Sequence, residues 1–153
     1  MREKGIVHHL KPMLALTLAL LFAAGLLLVG CGTDEKTLTI NEVKLEESDL
    51  PGWSLVEQVK ATPANAAPKS IVKQLYDAGA IAVLNQVFEK EGRRLQVNYV
   101  EMEDTMAGRQ AEAMLEAAVG GTNYIGHKDN IAIEIIGTVE DMGLAAGKLG
   151  LSL

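Results

Sequence analysis

The chain has 153 residues, with 20 acidic side chains against 14 basic ones, a formal net charge of −6 and 48% hydrophobic residues. An acidic balance repels polyphosphate, so a nucleic-acid partner is excluded as an expectation. The single cysteine, Cys31, rules out an intrachain disulfide and a multi-thiolate metal centre, and leaves stability to packing.

Arg2, Lys4 and Lys11 precede an apolar stretch from Met13 to Val29 in which Thr17 is the one polar member. This is the layout of a signal peptide. No charge occurs between Lys11 and Asp34, and about 20 apolar residues suffice to cross a bilayer, so an uncleaved transmembrane helix is the alternative reading. Either way the basic flank stays inside and the residues after 31 lie outside the cytoplasm.

Leu28-Val29-Gly30-Cys31 resembles the lipobox of bacterial prolipoproteins at all four positions. The resemblance covers residues 1 to 31. It implies diacylglyceryl transfer to the Cys31 thiol, cleavage between Gly30 and Cys31, and a bilayer as the partner of the acylated cysteine. Two acyl chains hold a protein firmly where one binds reversibly. Gly32 at the second mature position, rather than Asp, implies by the enterobacterial rule an outer-membrane destination within the cell envelope.

The domain expectation is therefore a signal peptide over 1–30, a lipidated cysteine and short tether over 31–36, and a single extracytoplasmic domain over 37–153. Gly32 to Lys36 reach about 17 Å when extended. Residues 31–153 hold 11 basic against 19 acidic side chains, which favours solubility and leaves cationic partners open.

In chain order, Thr37 to Val43 alternates around Leu38 and Ile40 and is expected as a strand. Pro51-Gly52 turns it into a second strand over 53–59. A loop through Pro63 leads to a helix beginning near Pro68, with Ile71, Leu75 and Ala78 on one face and Gly79 as its stop. Residues 81–88 and 95–102 form a hairpin about Glu89-Lys90-Glu91-Gly92-Arg93, and the phase change near Tyr99 suggests a bulge or twist. Asp104 caps a helix carrying Ala107, Ala111, Met114, Leu115 and Ala118 on one stripe and ending at Gly120-Gly121. A third hairpin joins 124–127 to 131–136, and a last helix over 139–149 is broken or frayed at Gly143 and Gly147. Strand pairs next to helices argue for the α+β class: an antiparallel sheet built from hairpins, with two to three helices packed on one face. Val100-Glu101-Met102-Glu103-Asp104 and Val139-Glu140-Asp141-Met142, each at a strand-to-helix junction, hint at an internal repeat.

Chemistry-bearing residues are few. His127 is the one histidine after the leader and reads as an exposed turn residue or, alternatively, as a general base or pH-responsive group. Glu101, Glu103 and Asp104 form the best carboxylate cluster, either a solvated strand edge with a helix cap or a weak hard-cation site. Glu46, Glu47 and Asp49 make a similar acidic loop. Trp53 reads as a core plug or a ligand contact. Arg93-Arg94 reads as a solvated hairpin tip or a contact for anionic head groups. No Gly-x-Ser-x-Gly elbow and no phosphate loop occur, and no cofactor is expected. The functional expectation is a non-enzymatic binding, accessory or sensor lipoprotein held at the membrane surface, taking an envelope protein or a small ligand. The alternative is a lipid-anchored hydrolase or metal-dependent enzyme using the acidic cluster and His127.

Overall fold

The computed structural model describes residues 37–151; the lipobox and its leader lie outside the described residues. Five strands form one antiparallel sheet: β1 (Ser54–Ala61), β2 (Ala82–Lys90), β3 (Arg93–Glu101), β4 (Tyr124–Lys128) and β5 (Ile131–Ile136), in the spatial order β1-β2-β3-β5-β4. Four helices accompany it: α1 (Ile40–Val43), α2 (Ile71–Asp77), α3 (Thr105–Val119) and α4 (Val139–Leu149). The fold is α+β.

The two hairpins are set by their turns. Lys90 pairs with Arg93 across Glu91-Gly92, both at positive φ (50° and 79°), the handedness that matches strand twist in a two-residue hairpin. Lys128 pairs with Ile131 across Asp129-Asn130, with Asp129 at φ 51°. Helix ends follow the same local chemistry. The Asp104 carboxylate accepts the Ala107 N–H at 2.8 Å, and Gly120 closes α3 in the left-handed conformation. Ser70 and Thr138 cap α2 and α4, and α4 runs unbroken through Gly143 and Gly147.

Alternation along β3 divides the core. Leu95, Val97 and Tyr99, with Leu84 and Phe88 of β2 and Ile131, Ile133 and Ile135 of β5, face α4 and the segment 38–53. Val83, Val100, Met102 and Ala132 face the opposite way, against Leu75 of α2 and Ala111 and Leu115 of α3. Two helices thus pack on one face, and the last helix with the N-terminal segment covers the other. Strands buried on both faces read as nearly continuous apolar runs, which is why Tyr99 and Val100 are both apolar without a bulge between them. The β2–β3 and β3–β5 registers run without a break there. The sheet's bulge lies instead in β1, between Leu55 and Glu57.

Residues 37–43 differ from expectation. They form an extended entry and the short helix α1, with a 3-10 turn at Glu47–Asp49, and no strand. Thr39 and Glu42 stand at capping-box spacing, and the Thr39 N–H and hydroxyl both donate to the Glu42 carboxylate (2.8 and 2.9 Å). Ile40 and Val43, three apart, then face the sheet together. Tertiary contacts fix this segment. Asn130 is 2% exposed; its side-chain oxygen accepts the Leu38 N–H at 2.6 Å, and its amide donates to the carbonyls of Leu38 (3.0 Å) and Met102 (2.7 Å). The Ile40 N–H donates to Glu101 at 2.9 Å, and the Leu45 N–H to the Tyr99 hydroxyl at 3.0 Å. No helix among the described residues is long and apolar enough to cross a membrane.

Burial pushes the Tyr99 phenol far above its ordinary value of 10, with the charges of Asp49 and Glu46 adding to the rise. Above pH 10 the unfolded chain releases this proton and the folded state keeps it, so stability falls as pH rises. The expected slope is up to about 1.4 kcal/mol per pH unit, read by urea unfolding at stepped pH. Tyr99→Phe is expected to lack that component and to lose about 1–2 kcal/mol at pH 7, because the buried Leu45 N–H is left unpaired.

Candidate ligand-binding cleft

The helix α1, held by Asn130 and Glu101, does not close fully onto the sheet. Between it and the paired strands β1 and β2 lies a half-enclosed cleft of about 350 Å³, at the small end of ligand-sized cavities. Ile40, Ala82 and Leu84 form its apolar floor and keep a trace of exposure (6%, 8% and 8%). Lys44, Lys60, Gln58 and Glu101 contribute its polar walls.

The register places these groups. Past the β1 bulge, Gln58 pairs with Gln86 and Lys60 with Leu84, so both β1 side chains stand on the face that α1 covers. Lys44 forms an ion pair with Glu46 at 3.0 Å. The Lys60 ammonium has no hydrogen-bond or ionic partner among the described residues. Gln86, fully buried, donates its amide to the Leu45 carbonyl (3.0 Å) and to the Gln58 side-chain oxygen (2.9 Å). Its own oxygen has no partner, an arrangement that costs about 1–3 kcal/mol. One consequence is that the Gln58 side chain turns its oxygen toward Gln86.

The residues singled out in the sequence fall at separate places. Trp53 is buried at 4% exposure, and the Arg93 guanidinium lies 5.5 Å from its ring centroid. Arg93 also pairs at 2.8 Å with Asp141, which is 3% exposed in α4. Arg94 projects to the opposite face and meets Glu57 at 3.5 Å. The two arginines are neighbours in sequence but not one basic patch. Glu101 secures α1, Asp104 caps α3, and Glu103 is exposed. The three do not form a cation cage, and among the described residues no group of three or more His, Cys, Asp or Glu side chains is placed to hold a metal.

His127 sits on the face opposite Glu101, with its Nδ1 at 2.7 Å from Glu112 of α3. Glu112 was not legible as its partner, because the contact joins a helix stripe to an edge strand 15 residues on. Tyr124 lines the same shallow pocket, and burial together with the Glu112 charge raises its phenol above the ordinary value. A third polar set lies on the sheet face beyond α2 and α3. Glu134, 5% exposed, accepts from Asn98 and Asn123 at 2.7 Å each, and Asn85 and Gln96 both donate to Asn98. Two of its donors meet the carboxylate and two the Asn98 oxygen, so the network is satisfied largely from within.

Comparison with protein-family models, curated proteins and solved structures finds no match to the chain. The case for a site therefore rests on this geometry.

The environments of the two arginines separate their effects. Arg93→Ala leaves Asp141 buried without its cation and is expected to lower unfolding stability by about 1–3 kcal/mol, the partial exposure of Arg93 reducing the full cost. Arg94→Ala, at an exposed pair, is expected to cost less than about 1 kcal/mol. Urea midpoints of the two variants check the order.

Proposed function

We propose that the chain is an extracytoplasmic lipoprotein, anchored through acylated Cys31, whose α+β domain binds a ligand at the membrane surface without carrying out catalysis. The observation that carries this reading is Leu28-Val29-Gly30-Cys31, closing an apolar run behind a basic flank. Leu38, seven positions after Cys31, is already a buried core residue. The domain thus begins a short tether away from the lipid, and its first helix forms one wall of the cleft.

The enzyme alternative asks Glu101, Glu103 and His127 to act together. Glu101 is engaged by the Ile40 N–H on one sheet face and His127 by Glu112 on the other. A binding role asks less of these residues and fits the cleft, with its apolar floor and few polar walls.

Intact-mass analysis of membrane-extracted protein tests the anchor. The expected mass is that of residues 31–153 plus acyl chains, with Cys31→Ser left uncleaved and unacylated. An unmodified full-length mass for both would contradict the proposal and leave a single-pass membrane protein.

A further inference from the structure

The ionic groups lining the cleft are Lys44, Lys60 and Glu101, in a domain whose overall balance is strongly negative. Lys44 already has a carboxylate partner on an exposed loop, and Glu101 is held by α1, so the uncommitted ionic group is Lys60. Gln58 stands two residues before Lys60 on the same strand face, and its side-chain oxygen accepts from Gln86. What these two β1 residues offer the cleft is therefore an ammonium beside an amide NH2 group. Below them lie Leu84, Ala82 and Ile40. An ammonium and an amide donor above an apolar floor are complementary to an anion with a hydrocarbon body.

We propose that the cleft between α1 and the β1–β2 strand pair binds a small organic monocarboxylate. Its carboxylate meets Lys60 and the Gln58 amide, and its apolar body rests on Ile40, Ala82 and Leu84. One uncommitted ammonium suits a monoanion better than a phosphate dianion, because the Glu101 carboxylate repels a second negative charge.

This assignment rests on the binding reading of the domain but not on the lipid anchor, and the two fail separately. The experiment is a hexanoate titration of the isotope-labelled full chain in non-ionic detergent, followed by nuclear magnetic resonance. Hexanol, hexylammonium and inorganic phosphate serve as controls. Saturable shifts confined to the Gln58 side-chain amide and to residues 40–44, 58–60 and 82–84 are expected with hexanoate alone. Lys60→Met keeps the aliphatic stem and removes no internal partner, so it is expected to stay folded and to bind hexanoate at least about tenfold more weakly. An absence of saturable shifts would overturn the proposal. So would equal shifts with hexanol or phosphate, or equal affinity in Lys60→Met. Hexanoate binding by a chain of unmodified mass would uphold the cleft and sink the anchor. A correctly acylated chain that ignores hexanoate would do the reverse.

Discussion

One buried carboxamide ties the two ends of the fold together. Asn130, in the two-residue turn between β4 and β5, makes three hydrogen bonds to main-chain groups of Leu38 and Met102, spanning 92 and 28 residues of sequence. An asparagine side chain presents one acceptor and two donors, and here it treats Leu38 as a neighbouring strand would. The result is a strand-like attachment without a strand. The helix α3 crowds the same turn: a Cβ on Gly108 would come within 3.0 Å of the Asn130 backbone, so a residue without a side chain is needed at that crossing. The close approach of α3, the turn and the chain entry makes this corner intolerant of added volume.

From that corner the rest of one face follows. Once Leu38 is fixed, Ile40 and Val43 of α1, then Leu45, Leu50 and Trp53, close over Leu84, Phe88, Val97 and Tyr99. Glu101 and Tyr99 take the Ile40 and Leu45 N–H groups, so a segment with little regular structure leaves few of its buried donors unpaired. The same segment is the wall of the cleft, and its position decides whether Lys60 and Gln58 stand over a walled apolar floor or over an open sheet edge. Clamp and cleft wall therefore follow one another in sequence: Leu38, then Ile40 to Lys44.

Much of this was legible in the sequence where local chemistry and burial agree. The hairpin over 82–101, the β4–β5 hairpin and the Asp104-capped helix ending at Gly120 each carry turn or cap residues in the right places, and each stands where the residues indicate. Residues 37–43 misled because Leu38 and Ile40 alternate as a strand would, while the Thr39–Glu42 capping pair and the distant partners Asn130 and Glu101 decide for a helix. Arg93-Arg94 looked like one basic tip, yet strand alternation sends the two to opposite faces. The cleft had no signature at all. Its walls come from residues 40–44, 58–60, 82–84 and 101, which only the sheet order and the β1 bulge bring together. Cys31, the most specific residue in the chain, lies outside the described residues, and its role stays with the resemblance that suggested it.

The claim on which the rest depends is that Asn130 holds the chain entry and thereby the cleft wall. Hydrogen exchange of the native protein, residue by residue, tests it in the wild type against Asn130→Ala. Protection at Leu38, Ile40 and Leu45 is expected to fall by at least about tenfold in the variant, a loss of about 1.4 kcal/mol or more of local opening free energy, while the β2 and β3 amides keep most of theirs. Unchanged protection at Leu38 and Ile40, or an equal loss across the whole sheet, would contradict it.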